Sequence, residues 1–160
     1  LPYAERIIKE ALRLYPAAPG ANRQPLEDTT IGGYPVKKGV ELSLSIWAMH
    51  RSDRYFPKPD QFDPERFSPE REKEIPKGAY LPFGGGPRVC IGNAFALMEA
   101  RLLLVRMVQR ARLELIPDQT IKPIQLLTVR PVNGIQMKVS LRGTSPVVGQ
   151  TVQGAIPELA

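Results

Sequence analysis

Cysteine and histidine are almost missing from this chain. Its 160 residues hold one of each, Cys90 and His50, and one tryptophan, Trp47. A single cysteine excludes an internal disulfide. One cysteine with one histidine also excludes a structural zinc site built from thiolates and imidazoles. Long apolar runs are lacking too, and none reaches the length needed to cross a bilayer. No signal peptide is visible. The first residue is Leu1 rather than Met, so the chain is expected to start inside a domain. A clustered charge of one sign is the last absence. Lys and Arg outnumber Asp and Glu 22 to 16, a formal charge of +6, but the basic residues are scattered among acids with no aromatic-spaced patch. An acidic protein partner is therefore expected, and nucleic acid is not. What remains is an ordinary globular composition, 42% hydrophobic and 24% charged, long enough for one domain with a real core.

Periodicity divides the chain into elements. Ile7, Ile8, Ala11, Leu12 and Leu14 form an apolar stripe that predicts a helix from Tyr3 to about Tyr15, ended by Pro16 and Pro19. From Arg23 to Leu44 short strands are expected, with turns at Thr30–Tyr34 and Lys38-Gly39. Val40–Leu44 alternates as a half-buried strand does. Ser45 to His50 predicts a short helix. Arg51 to Pro82 has little period and reads as a long coil, a feature that is usually functional in a compact domain. Asn93 to about Arg112 predicts the longest helix, lined by Phe95, Leu97, Met98, Leu102, Leu103, Val105, Met107 and Val108, with Glu99, Arg101, Arg106 and Arg110 facing out. Strands are expected at Leu113–Ile116 and Gln136–Leu141. Pro131–Gly134 is expected to turn a hairpin between Leu126–Arg130 and Ile135–Val139. Residues 1–142 are expected to form one structural unit and 143–160 a flexible tail.

Chemistry concentrates in Phe83-Gly84-Gly85-Gly86-Pro87-Arg88-Val89-Cys90-Ile91-Gly92. Glycines let a flat or bulky group approach the backbone. Pro87 stiffens the approach to the cysteine. Arg88 offers a fixed cation to an anionic group. The helix that follows aims its N–H groups toward the sulfur and favours the thiolate. On these grounds alone Cys90 could be a nucleophile, a redox sensor, an axial metal ligand or a buried structural thiol.

Phe83, Gly86, Arg88, Cys90 and Gly92 resemble the haem-binding loop of the cytochrome P-450 family: Phe, any two, Gly, any, Arg, any, Cys, any, Gly. Glu10-Ala11-Leu12-Arg13 resembles the Glu-any-any-Arg of that family's K helix. Pro64-Glu65-Arg66-Phe67 resembles the segment whose arginine joins the pair. The resemblance runs from Leu1 to about Leu141. It implies a mainly α fold with small β-sheets (α+β), the C-terminal part of the family's catalytic domain.

The resemblance also implies haem b, with Cys90 as the axial ligand of its iron. Thiolate donation favours O–O cleavage over reversible oxygen binding. Phe83 would pack near the sulfur, and Gly84 and Gly92 would be further cofactor-binding positions. Arg88 would hold a haem propionate, with Arg23 and His50 as further candidates for such contacts. Glu10, Arg13 and Arg66 would form a buried charge network rather than an ordinary surface pair. Ala18, Pro19, Gly20, Leu127 and Thr128 would line an apolar substrate cavity. The implied activity is insertion of one oxygen atom from O₂ into an apolar organic substrate, with fatty acids favoured. Electrons would come from a ferredoxin, flavodoxin or FMN-type reductase docking near Arg88, Lys77 and Arg101. A bacterial-like, cytoplasmic setting is expected. The chain alone is expected to be inactive, because the oxygen-activating helix of the family has no counterpart in it. Alternatives are a peroxide-using or hydroperoxide-rearranging haem-thiolate enzyme, a non-catalytic haem-binding scaffold, and a redox thiol switch, the last disfavoured by the lack of a resolving cysteine.

Overall fold

The computed structural model describes residues 1–143. The tail expected at 143–160 therefore lies, from residue 144 on, outside the described residues. Among the described residues, three helices and eight short strands make an α+β unit. Their order is α1 (Pro2–Leu14), β1 (Gly20–Arg23), β2 (Thr29–Ile31), β3 (Tyr34–Val36), β4 (Leu42–Ser45), α2 (Ile46–His50), α3 (Asn93–Arg110), β5 (Ala111–Leu115), β6 (Pro123–Gln125), β7 (Val129–Pro131) and β8 (Met137–Leu141). The long stretch between α2 and α3 carries only 3-10 turns, at Pro64–Phe67, Arg71–Glu74 and Gly86–Arg88. Among the described residues no helix is long and apolar enough to cross a membrane.

Local chemistry explains most boundaries. Pro2 sits in the first turn of α1, where its missing N–H has no partner to lose. The strands β2 and β3 join through Gly32 and Gly33, both at positive φ, the requirement of a two-residue primed turn. Ser45 caps α2 by accepting the Ala48 N–H on its hydroxyl at 3.2 Å, as a helix N-cap should. Asp63 does the same for the Pro64 turn, accepting from Glu65 N–H at 3.1 Å.

Two expected strands came out differently. The segment expected at Val40–Leu44 forms at Leu42–Ser45, and only Leu42 in it is part-buried. The hairpin expected around Pro131–Gly134 is not formed. Instead β6 pairs with β7 across Leu126–Thr128, and β8 returns to β5. The reason is register. In the β5–β8 ladder Ala111, Leu113 and Leu115 face Leu141, Val139 and Met137, while Glu114 faces Lys138. Both faces are matched at once, and a one-residue slip would mismatch every pair. The turn at Pro131–Gly134 survives, closed by Gly134 N–H on Pro131 O at 3.4 Å, but it passes the chain from one small sheet to another.

The core lies between α1, α2 and the long coil. Ile8, Leu14, Ile46, Phe56, Phe67 and Ala79 are its buried apolar members. By contrast α3 is largely uncovered: Phe95, Met98, Leu102, Leu103, Met107 and Val108 are all exposed. Arg101, expected to face out, instead folds onto α1 and pairs with Glu5 at 2.9 Å.

At the centre of the core sit two charges that are wholly excluded from solvent, Glu10 and Arg13. Such groups are tolerated only when paired. Arg13 Nε donates to Glu10 Oε2 at 2.7 Å and Nη2 to Oε1 at 2.9 Å, a bidentate fork. Arg13 also donates to the carbonyls of His50 at 2.7 Å and Gln61 at 3.3 Å. Glu10 Oε1 accepts the Asp63 backbone N–H at 2.9 Å. Arg66 Nε stands 3.4 Å from the same oxygen, near enough for charge attraction though it makes no hydrogen bond. Arg66 Nη2 donates to Lys58 O at 2.7 Å, beside a backbone that takes the left-handed conformation at φ 52°. One carboxylate and two guanidinium groups thus hold three points of the coil against α1. Replacing Glu10 by Gln removes the negative charge that the two arginines share. We expect a loss of about 3–5 kcal/mol in urea denaturation. Arg6→Ala breaks an exposed pair with Glu65 and is expected to cost at most about 1 kcal/mol.

Candidate functional site

The coil that the charge network anchors leads directly into the cysteine loop. Tyr80 docks its end on α1, the hydroxyl donating to Lys9 O at 3.0 Å. Its ring packs on Phe67, with centroids 4.8 Å apart, and on His50 at 5.3 Å. Burial, with Glu72 and Glu10 nearby, raises the pKa of its hydroxyl well above the ordinary tyrosine value. The next residue, Leu81, donates its backbone N–H to His50 Nε2 at 2.9 Å.

From there the loop is built from backbone groups. Gly84 N–H bonds to Leu81 O at 3.0 Å, Val89 N–H to Gly86 O at 3.1 Å, and Cys90 N–H to Phe83 O at 2.9 Å. Gly84 and Gly86 take φ of 73° and 67°, which a residue with a Cβ adopts only under strain. A Cβ added at Gly86 would meet nothing within 4 Å. Gly92 then starts α3, and the nearest atom to a Cβ placed there would be Cys90 Sγ at 3.9 Å. The cysteine itself is free and exposed. Phe83 is half-buried and Arg88 is exposed.

The remaining expected site residues divide into two groups. Ala17–Gly20 and the β6–β7 turn come together, since Val129 N–H donates to Ala17 O at 2.9 Å. Ala18, Pro19, Gly20, Leu127 and Thr128 thus lie on two adjoining segments, and Leu127 is 92% exposed. Arg23 lies on β1, exposed, with Nη1 turned to its neighbour's Asn22 O at 2.8 Å. His50 is a correction. It is completely buried, and both ring nitrogens are taken up by the chain, so no polar atom is left for a propionate. Arg101 is a second correction, tied to Glu5 rather than free to dock a partner. Tyr80 belongs to no motif in the sequence, and Arg51 enters one only as the neighbour of His50 in a segment that resembles the family's His-Arg-Asp. Arg51 stacks on Trp47, with Cζ 3.5 Å from the ring centroid, and is flanked by Tyr15 at 5.4 Å, a double cation–π contact. Their signal was aromatic residues beside turns, which is too common to identify them.

The donor set limits what Cys90 can hold. Among the described residues no three His, Cys, Asp or Glu side chains converge on a metal site. Val89, Ile91 and Phe95, close in sequence to the cysteine, are exposed and apolar. An exposed thiol, open space before Gly86, uncovered apolar side chains and the Arg88 cation fit a flat apolar macrocycle with an acidic edge. The fold and loop together fit the thiolate-bearing part of a haem protein.

Comparison with known proteins assigns the family. The sequence profile described as Cytochrome P-450 matches residues 1–139, and the chain belongs to that family. It is 44% identical over 123 residues to cyclooctatin synthase of Streptomyces melanosporofaciens, covering 77% of this chain and 27% of that relative. It is 42% identical over 145 residues to human cytochrome P-450 4V2, covering 89% of this chain and 27% of the relative. The Arabidopsis thaliana carotene epsilon-monooxygenase, chloroplastic, is 40% identical over 148 residues, again 89% and 27%. Among solved structures, the cytochrome P450DA haem domain superposes with a TM-score of 0.82 at 38% identity, over 87% of this chain and 30% of that one. A retinoic-acid-bound cyanobacterial CYP120A1 gives 0.83 at 33%, over 88% and 32%. The chain thus spans just over a quarter of the curated relatives' length. These relatives overturn the expected bacterial-like, cytoplasmic setting: human and chloroplastic proteins resemble the chain about as closely as the Streptomyces one does.

The buried histidine makes this scaffold sensitive to pH. Burial, and next the charges of Arg13 and Arg51, push the His50 pKa down to about 4 from an ordinary 6.5, against the raising effect of its bond to Arg13 O. The folded state therefore binds fewer protons than the unfolded chain between those values. Its contribution to stability is full above pH 6.5 and is lost as pH falls toward 4, since protons then favour the unfolded state. The thermal midpoint is expected to drop as pH falls from 6.5 toward 4, and the slope to flatten in a His50→Phe variant.

Proposed function

We propose that this chain supplies the thiolate half of the haem site of an oxygenase that inserts one atom of O₂ into an apolar organic molecule. The observation that carries the reading is Cys90: the residue is exposed, while its backbone is held by the loop and, through the coil, by Glu10, Arg13 and Arg66. When bound, a thiolate-ligated haem supplies oxygen-transfer chemistry that neither a free thiol nor a carboxylate can provide. The chain's own residues bind and shield. Cys90 Sγ would ligate the iron, Phe83 would pack beside it, and Gly84, Gly86 and Gly92 would keep bulk away from the macrocycle. Arg88 neutralises an acidic edge, with exposed Arg23 as the second cation suited to that task. Ala18–Gly20 and Leu127–Thr128, joined at Ala17, form one wall of an apolar pocket.

The substrate class we favour is a long apolar molecule, fatty acids among them. The names of the relatives support this breadth, since one is a carotene monooxygenase and another holds retinoic acid. Electrons would come from a ferredoxin, flavodoxin or FMN-type donor. Exposed Lys77 suits an acidic face on it. Given how short the chain is against its relatives, the chain alone is proposed to be incompetent for turnover.

Haemin titration of the native chain and of Cys90→Ser tests the site. The native chain is expected to bind with a thiolate-type absorption spectrum, and the serine variant to bind at least about tenfold more weakly, a difference of one charge-assisted interaction. Equal affinity and equal spectra would sink the assignment of Cys90. A thiolate-type carbon-monoxide spectrum accompanied by substrate turnover from this chain alone would sink the claim of incompetence.

A further inference from the structure

We propose that His50 is a positioning residue for the cysteine loop, a neutral ring that couples the buried Glu10–Arg13 pair to the backbone leading into Cys90. Its two bonds admit one protonation state. The Leu81 backbone N–H can only donate to Nε2, so Nε2 must carry a lone pair. The Arg13 backbone carbonyl lies 3.2 Å from Nδ1. A carbonyl can only accept, so Nδ1 must carry the hydrogen. An imidazolium would set two N–H groups against each other at Leu81. The opposite tautomer would fail at both ends.

The ring is also held against rotation. It has no exposed surface, stacks on Tyr80 with an interplanar angle of 25°, and meets Phe56 edge-on at 6.2 Å. The coupling is reciprocal, because Arg13 Nη1 donates back to the His50 carbonyl at 2.7 Å. From the Glu10 carboxylate the path runs through Arg13, His50 and Leu81 N–H. It continues through Leu81 O to Gly84 N–H and through Phe83 O to Cys90 N–H. The charged and titratable groups around the ring are Arg13 on α1, Arg51 beside it and Tyr80 on the coil. Glu10, on the same helix as Arg13, is already paired with it. The charges that face the ring are thus cationic and oppose its protonation.

The functional meaning of this coupling rests on Cys90 being the haem ligand. The coupling itself does not, and its test needs no haem. Because His50 is the only histidine, ¹⁵N-histidine labelling reports on it alone. The full chain at pH 7 is expected to show one fixed tautomer, protonated at Nδ1. Averaged tautomers, or protonation at Nε2, would overturn the proposal. Amide hydrogen exchange provides the second measurement. In His50→Phe, which keeps a ring but neither bond, exchange at Leu81 and Cys90 is expected to quicken about tenfold, the value of one lost hydrogen bond. In His50→Gln, whose amide keeps both an acceptor and a donor, both amides are expected to stay within about threefold of native. Unchanged Cys90 exchange in His50→Phe would overturn the proposal, as would equal acceleration in both variants. If these results hold while Cys90→Ser binds haemin as the native chain does, the haem reading fails and the coupling stands.

Discussion

The fork between Glu10 and Arg13 is the interaction on which the rest of this structure depends. The two opposite charges have no solvent exposure. They are expensive to bury, and removing either leaves the other uncompensated. The fold answers by giving every nitrogen and oxygen of the pair a partner, and several of the partners come from far along the chain. His50 O, Gln61 O, the Asp63 N–H and the Arg66 guanidinium all converge on α1. A long coil with no sheet or long helix of its own has few other ways to hold one path. The polar network replaces the ladder hydrogen bonds that a regular element would have provided.

What the sequence revealed and what it hid follow from this. Motifs were legible because their chemistry is local: Glu10 and Arg13 share a helix face, and Cys90 sits in a run of glycines. The helices α1 and α3 were legible through periodicity. The β5–β8 ladder was not, since its register joins strands far apart in the chain whose matching is visible only once both are written side by side. His50 was a candidate for a propionate contact only through the family resemblance of its segment. Its real partners are two backbone groups, Arg13 O and Leu81 N–H, which carry no residue identity and leave no trace in a motif. Arg101 misled for a similar reason, as its partner Glu5 lies 96 positions away.

The uncovered side of the molecule belongs to the same logic. The helix α3 presents Phe95, Leu102, Leu103 and Val108 to solvent, and Ile91 and Leu127 are almost wholly exposed. Apolar patches of this extent mark surfaces made to be covered. The longer solved structures, of which this chain spans 30% and 32%, share this stretch at a TM-score above 0.8. Core and open face are thus sharply separated: the coil side is closed by internal charge and aromatic packing, while the α3 side is left apolar.

The cysteine stands at the border of those two halves, and the way it is held fits that position. In the proposed role of ligand, Cys90 would have to present its sulfur to something outside the chain while its Cα stays still. Side-chain packing around the sulfur would serve the second need and defeat the first. Here the links that fix the loop are backbone N–H groups on carbonyls, or on the ring of His50 behind it. Gly84 and Gly86 make that economy possible. Their positive φ lets the chain turn twice within a short span without a Cβ in the way. Rigidity is delivered from behind through the main chain, and the front is left bare. The sulfur can then be rigid and exposed together, which a lone cysteine on a mobile loop or in a packed core could not achieve.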